Sequence, residues 1–575
     1  MAYLFSVALG PAQEFIATAR RTRDLWFSSW LLSELSKAAA REIGSKNLIF
    51  PAIINDDDLK PVSEFNVVNK ILAKVDDDPQ ALGKQVKDAV HERLQEIRAA
   101  AFADLEGAYD ADKAEAQIND LPEIYWAAVP LRDDYKQARA EVEALLAACK
   151  NTRDFSSTGK WSGNGPKSSL DGLRESVIRD AVALEKRGVK KAETLCGVGL
   201  LKRFGKPANQ KENEGFASTP HIAAWPLIQS FGRKHEKTLN EYISFLREKG
   251  IYRSALYSPP APRSDIFPYD GHILFEEQLK EYFDETAQKT ELDQSLARLR
   301  KLLEEEIGNN PSPYYAILHA DGDRMGEAIG TQDTEDKHRQ LSAALSAFAG
   351  EARNIVAVNH GSLIYAGGDD VLALVPLHTV IPCARRLADT FRETLSDFKT
   401  AAGTSLTLSV GIGISHQMEP LEDALNLARA AEREAKQLDG KNALCLKVSK
   451  RSGTVTTVVD HWGALDERLK AFTAFHEQEE VPDGAAYELR RLAEDFKGFA
   501  PEHKAEAYRK EAARILSRKR ARRSTEEVKK DVQEKLLNRL SDDSRQAASA
   551  IRSLADELIV AKLFVNKFEK KGETK

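Results

Sequence analysis

Between residues 313 and 449, apolar and polar positions alternate between two periods in a fixed order. Residues 315–320 (YAILHA) form a short apolar run suited to a buried strand, and it stops at Asp321-Gly322-Asp323. Leu341, Ala344, Leu345, Phe348, Ala352 and Ile355 then recur at three-and-four spacing, which predicts a helix over 333–357 with one apolar face. Two strand candidates, 362–365 and 371–375, flank Ala366-Gly367-Gly368-Asp369-Asp370, a hairpin with glycine where a tight turn needs positive φ. A helix over 378–397, a strand over 405–414 (SLTLSVGIGI), a helix over 420–438 and a strand over 443–448 complete the series. The order β-α-β-β-α-β predicts a ferredoxin-like sheet with helices on one face, followed by one further αβ pair.

The N-terminus repeats this plan more faintly. Residues 3–9 read as a strand, 12–43 as a long helical region, 48–54 and 66–75 as a strand pair, 79–105 as a helix and 123–129 as a closing strand. Aligned by strand ends, Leu9-Gly10-Pro11 falls opposite Asp321-Gly322-Asp323, so this copy lacks the carboxylates. The intervening residues mix helical spacing with Gly/Pro-rich loops. From about 454 no convincing strand follows the first few β-branched residues, and helical spacing dominates, as in Ala547, Ile551, Leu554 and Leu558. The predicted fold class is α+β, with two ferredoxin-like, palm-type domains and two mainly helical ones. The N-terminal palm covers 1–134, a helical middle domain 135–312, the second palm 313–453 and a helical bundle 454–575.

Composition narrows the function classes. Lys+Arg total 83 against Asp+Glu 89, a net charge of -6, so no global basic field announces a nucleic-acid binder. A local basic run, Arg518 to Arg523, precedes Ser524 and Glu527 in capping-box spacing. Four cysteines lie far apart with no CxxC pair, which argues against a disulfide framework. There is neither a signal-peptide pattern nor a long uncharged apolar stretch, so a cytoplasmic protein without membrane contact is expected. Of the twelve histidines, His221, His272, His319, His360, His416 and His461 show no ligand spacing; core or surface roles are the default, with nucleotide contact an alternative for His319.

The chemistry concentrates in the acids. Asp321 and Asp323 end one inferred strand, and Asp369 and Asp370 stand on the turn of its neighbour. Like charges brought so close raise one another's pKa, and hard oxygen ligands with open positions suit Mg²⁺ or Mn²⁺ completed by triphosphate oxygens. Gly322, Gly367 and Gly368 would let a nucleotide approach the backbone. Either motif alone is also ordinary turn chemistry; together, in this fold order, they favour a metal site.

The pair HADGDRMG and YAGGDDVLALV, followed by SVGIGIS and ARAAEREAKQLDGKNAL, resembles the cyclase-type palm shared by diguanylate cyclases and the large subunits of type III CRISPR effector complexes. GPAQEFIATARRTRDLWFSSWLLSEL resembles the first palm of the large subunits of Cmr, or type III-B, complexes. The resemblance implies a target-RNA-activated nucleotidyltransferase that makes cyclic oligoadenylate from ATP with two Mg²⁺ or Mn²⁺ ions. It implies other Cmr subunits, a guide crRNA and complementary target RNA as partners. Asp321, Asp369 and Asp370 become the metal-binding and catalytic residues, with the Gly322 carbonyl a further ligand. Lys436 becomes the lysine that neutralises triphosphate oxygens, although by spacing alone it reads as a solvated helix lysine. Asp323 either binds metal or holds its loop. Gly10, Arg20, Asp24 and Ser29 are expected to contact a second nucleotide, the alternative for Arg20 and Asp24 being an i,i+4 surface pair.

The sequence also departs from the family. It has no His-Asp dipeptide, so no HD nuclease is expected; where relatives carry paired cysteines, PKSSLDGL and TLCGVGLLKR leave only Cys196, so no zinc is expected. Asp370-Val371 and Arg324-Met325-Gly326 do not supply the guanine-reading residues of a diguanylate cyclase. A guanylate-type cyclase, a template-dependent polymerase and a catalytically silent scaffold subunit remain the rival readings.

Overall fold

The computed structural model describes residues 1–568 apart from 153–162, 191, 210–215, 250–261, 284–287, 452, 496–500, 519–529, 541–542 and 544–545. The basic run, from its second residue onward, and the capping box after it lie outside the described residues.

Two mixed layers carry the chain, and their sheets share one strand order. In the first, β1 (Tyr3–Gly10), β2 (Leu48–Phe50), β3 (Lys70–Val75) and β4 (Glu123–Pro130) run in the order β2-β3-β1-β4. In the second, β5 (Tyr314–Gly322), β6 (Ser362–Gly367), β7 (Asp370–Val375) and β8 (Leu408–His416) repeat it as β6-β7-β5-β8. The faint N-terminal echo is therefore a true second copy of the plan. β9 (Ala443–Val448) adds parallel to β8, and β10 (Thr456–His461) antiparallel to β9.

Strand alternation decides which helices lie where. Phe5, Val7 and Leu9 face the helices Thr22–Ile43 and Pro79–Phe102, while Leu4 and Ala8 face the helix Tyr135–Asn151. That last helix was expected to open the middle domain; instead Tyr135, Ala138, Val142 and Leu146 close the outer face of the first sheet. In β5, Ala316, Leu318 and Ala320 pack on the helices Glu335–Val358 and Leu377–Thr394. Tyr315 and Ile317 point the other way, to the helices Leu421–Gln437 and Thr219–Ser230, so the second sheet is covered on both faces rather than one.

Two further expectations are revised. The helical region 12–43 breaks at Thr18–Arg21 into Gln13–Ala17 and Thr22–Ile43, because Asp24 caps the second helix from its N3 position. The second sheet does not end at 453: Thr456, Val458 and their neighbours pair with β9 as a sixth strand. One apolar cluster runs from β5 through the helices Leu465–Glu477, Asp483–Asp495 and Ala547–Ala561 to Phe564. Among the described residues no helix is long and apolar enough to cross a membrane.

Candidate active site at the second palm

The C-terminal end of β5 brings Asp321 beside the β6–β7 turn. Gly368 takes φ +64 there, which turns the chain sharply enough to aim Asp369 and Asp370 back at β5. One oxygen from each of Asp321, Asp369 and Asp370 lies within 4.8 Å of the other two. Gly322 is required by the close approach, since a Cβ on it would stand 2.8 Å from both Asp369 Cβ and Met325 Cγ.

A second close approach delivers the lysine. Cβ atoms on Gly411 and Gly413 of β8 would meet the backbone nitrogens of Glu432 and Ala428 at 2.0 and 2.7 Å. Their absence lets the helix Leu421–Gln437 lie directly on the sheet. Lys436, in its last turn, donates to the Asp321 carboxylate and, at 3.2 Å, to the Gly322 carbonyl. Lys436 is thus part of the site and not a solvated helix lysine.

Electrostatics marks the cluster as short of positive charge. Burial raises the Asp369 carboxyl to about 6. Burial, then the charges of Asp369 and Glu432, raises Asp370 to about 7. Burial, then the neighbouring Lys441 charge, lowers Lys436 to about 8. Three hard oxygens so close together fit a divalent cation of the Mg²⁺ or Mn²⁺ kind.

Asp323 takes the second of its two expected roles. It is 2% exposed and accepts from Thr407 Oγ1 (2.8 Å), Ser409 Oγ (2.9 Å) and the Asn442 backbone N–H (3.0 Å). Its oxygens are spent on β8 and on the turn 439–442, so Asp323 holds a loop and stands outside the three-carboxylate cluster. That turn carries Lys441, whose charge acts on Lys436, Asp323 and Glu432. Lys441 was not among the expected site residues; its signal was the Asp-Gly-Lys-Asn turn that starts three residues beyond Lys436. His319, two residues before Asp321, has a buried Nδ1 without a hydrogen-bond partner, 3.9 Å from the Glu432 carboxylate. Burial, helped by Arg429, Lys436 and Arg433, holds its imidazole down to about 4.

The N-terminal residues divide. Gly10 ends β1, the position equivalent to Gly322 in β5. Arg20 is exposed, and Ser29 is buried within its helix. Asp24 contradicts both expectations for it. It is fully buried and pairs with Arg203 through Nε–Oδ1 at 3.0 Å and Nη2–Oδ2 at 3.1 Å, while also accepting from the Arg21 N–H. Arg203 in turn holds Glu193 at 2.7 and 2.8 Å. The carboxylate therefore knits the first palm to the middle region and has no oxygen facing a nucleotide. In that region the stretches PKSSLDGL and TLCGVGLLKR do meet: the Cys196 Sγ lies 3.7 Å from Asp171 and accepts from the Gly199 N–H at 3.3 Å.

The two palms press together beside the acids. Asn66 Nδ2 donates to the Ala366 carbonyl at 3.0 Å, Arg353 to the Glu64 carbonyl at 2.9 Å, and Arg339 to the Leu48 carbonyl at 3.0 Å. A cavity of about 60 Å³ between them is lined by Phe50, Phe65, Asn66, Arg353 and Gly368 among others, and it touches none of the three carboxylates. It lies behind the turn, so the chemistry is placed by the carboxylates and not by this cavity.

Comparison with known proteins agrees with this geometry. Residues 314–445 match the family described as Cas10/Cmr2, second palm domain, and residues 4–152 match the CRISPR-associated protein Cmr2 N-terminal family. The CRISPR system Cmr subunit Cmr2 of Pyrococcus furiosus is 24% identical over 561 residues, covering 80% of this chain; the chain spans 63% of that relative's length. A chain of the apo type III-B Cmr-beta complex superimposes with TM-score 0.62 at 14% identity, covering 92% of this chain and 78% of that one. The same complex bound to cognate target RNA gives 0.62 at 13% identity, covering 92% and 80%. With both palms in their expected places and the acids assembled between strand and turn, the chain carries an N-terminal domain of the Cmr2 type and a second palm of the Cas10/Cmr2 type, and it is similar to Cmr2 over most of its length.

Proposed function

We propose that the second palm is a nucleotidyltransferase site that joins ATP molecules into a cyclic oligoadenylate, within a cytoplasmic RNA-guided complex. The observation that carries this reading is the convergence of Asp321, Asp369 and Asp370 with Lys436 hydrogen-bonded among them. Divalent cations bound there would supply the Lewis acidity that activates a 3′-hydroxyl and stabilises the leaving pyrophosphate. The protein's own share is positioning and neutralisation, because phosphoryl transfer asks for little covalent work.

Asp321, Asp369 and Asp370 would hold the cations. Lys436 exchanges the Asp321 carboxylate for triphosphate oxygens, and Lys441 adds a second positive charge on the same side. Asp323 keeps the Lys441 turn in register with β8. The acceptor nucleotide sits toward the first palm, which the Asn66–Ala366 bond ties to the edge of the turn. Other subunits, a guide RNA and a complementary target RNA are the partners of this reading, and target capture shifts the palms into their working arrangement.

The test is mass spectrometry of products from ATP with Mg²⁺ or Mn²⁺, using the assembled complex with and without matching target RNA. A target-dependent adenylate that disappears in Asp369→Ala/Asp370→Ala is expected. No product from any nucleotide, with target RNA still bound, would leave a scaffold subunit, and product from GTP alone would leave a guanylate cyclase.

A further inference from the structure

The turn that carries Lys441 stands in a conformation that the chain would not choose. Gly440, Lys441 and Asn442 follow one another at φ +80, +57 and +51, and two of the three carry side chains. Consecutive left-handed residues with a Cβ are costly, so the surroundings must hold them. Asp323 does so from within, accepting the Asn442 N–H at 3.0 Å.

From outside, the hold comes from the end of β10. His461 Nδ1 donates to the Lys441 carbonyl at 2.9 Å, and the Trp462 backbone N–H donates to the Asn442 carbonyl at 3.1 Å. The Trp462 indole Nε1–H reaches past the turn to the Leu408 carbonyl at 2.9 Å, at the start of β8 and opposite Gly322 of β5. β10 is itself tied to the helical region. Arg468 bridges Asp460 at 3.0 Å and Glu557 at 2.9 Å, and the buried Glu557 also takes Arg539 at 3.0 Å.

We propose that His461 and Trp462 are positioning residues for the phosphate side of the palm site, acting through the Lys441 turn and linking it to the C-terminal helices. The inference rests on the nucleotide reading given above. It makes β10 more than an edge strand: a clamp whose backbone and side-chain donors hold the Lys441 turn in place against Asp323. A change at the C-terminal helices reaches the triphosphate position by this route, without contact to the nucleotide.

Two measurements on the full chain test it. The first is hydrogen exchange at the Lys441 and Asn442 amides, where Trp462→Phe should speed exchange several-fold and leave the central strands β5 and β8 protected. The second is a double-mutant cycle on the affinity for Mg²⁺ with a non-reacting ATP analogue, measured by calorimetry. Lys441→Ala should weaken binding about tenfold and Trp462→Phe about threefold. The double variant should bind no more weakly than Lys441→Ala alone. His461→Gln, which weakens the side-chain bond to the Lys441 carbonyl, should speed the same exchange and serves if the indole proves necessary for folding. Unchanged exchange, or effects of Trp462→Phe and Lys441→Ala that simply multiply, would overturn the clamp. Unchanged affinity in both Lys441→Ala and Lys436→Ala would overturn the nucleotide reading first, and the inference with it.

Discussion

Asp369 and Asp370 keep protons that a carboxylate in water would have lost. With folded values near 6 and 7, against about 4 for the unfolded chain, the folded metal-free protein binds more protons than the unfolded chain across that interval. Stability must then fall as pH rises through 6 and 7, because the sign follows the state that holds more protons. Thermal unfolding in a chelator should show the midpoint dropping from about pH 5 to about pH 8, and Asp370→Asn should flatten that drop and add about 1–2 kcal/mol at the alkaline end. Mn²⁺ should restore the wild type at high pH and the variant less; parallel curves for the two proteins would contradict the account. The three carboxylates were legible in the sequence because strand ends and turns are local. The role of Asp323 and the burial of Asp24 were not, since their partners come from Ser409 and Asn442, and from Arg203, 179 residues away.

Among elements, the contact between β8 and the helix Leu421–Gln437 sets the site more than any turn does. Gly411→Ala would drive a methyl to 2.0 Å from the Glu432 backbone, where nothing flexible can yield, whereas Gly413→Ala meets Ala428 at 2.7 Å. Denaturant unfolding should rank them in that order, with Gly411→Ala costing more than about 3 kcal/mol and Gly413→Ala about 1–3 kcal/mol. Equal costs would mean that the helix floats rather than seats. The GIGI pattern announced a strand, and nothing local in it announced the helix above. β10 was not counted as a strand because six residues with only partial alternation of burial, entered past Gly453 at φ +121 and left through a turn at 462–464, give a weak period. The boundary expected at 134 separates Tyr135–Asn151 from the sheet that it covers, since an apolar helix stripe does not name its partner sheet.

For the whole molecule, the repeated strand order was legible from two runs of the same pattern, while the contact between the palms was not, being made largely by single side chains on backbone carbonyls. Asn66 tests that contact. Asn66→Ala removes the bond to Ala366, one residue ahead of Gly367, while leaving all three carboxylates in place. Adenylate synthesis in the complex should fall about fivefold with Mn²⁺ affinity unchanged. Loss of Mn²⁺ binding would show instead that the turn collapses without its neighbour. β10 has one more consequence, for inheritance. Because the sixth strand and the helices after it share one apolar cluster with β5, the palm cannot be exchanged between relatives at the loop before Thr456. A functional chimera must carry the strand and its helical cap along with the palm.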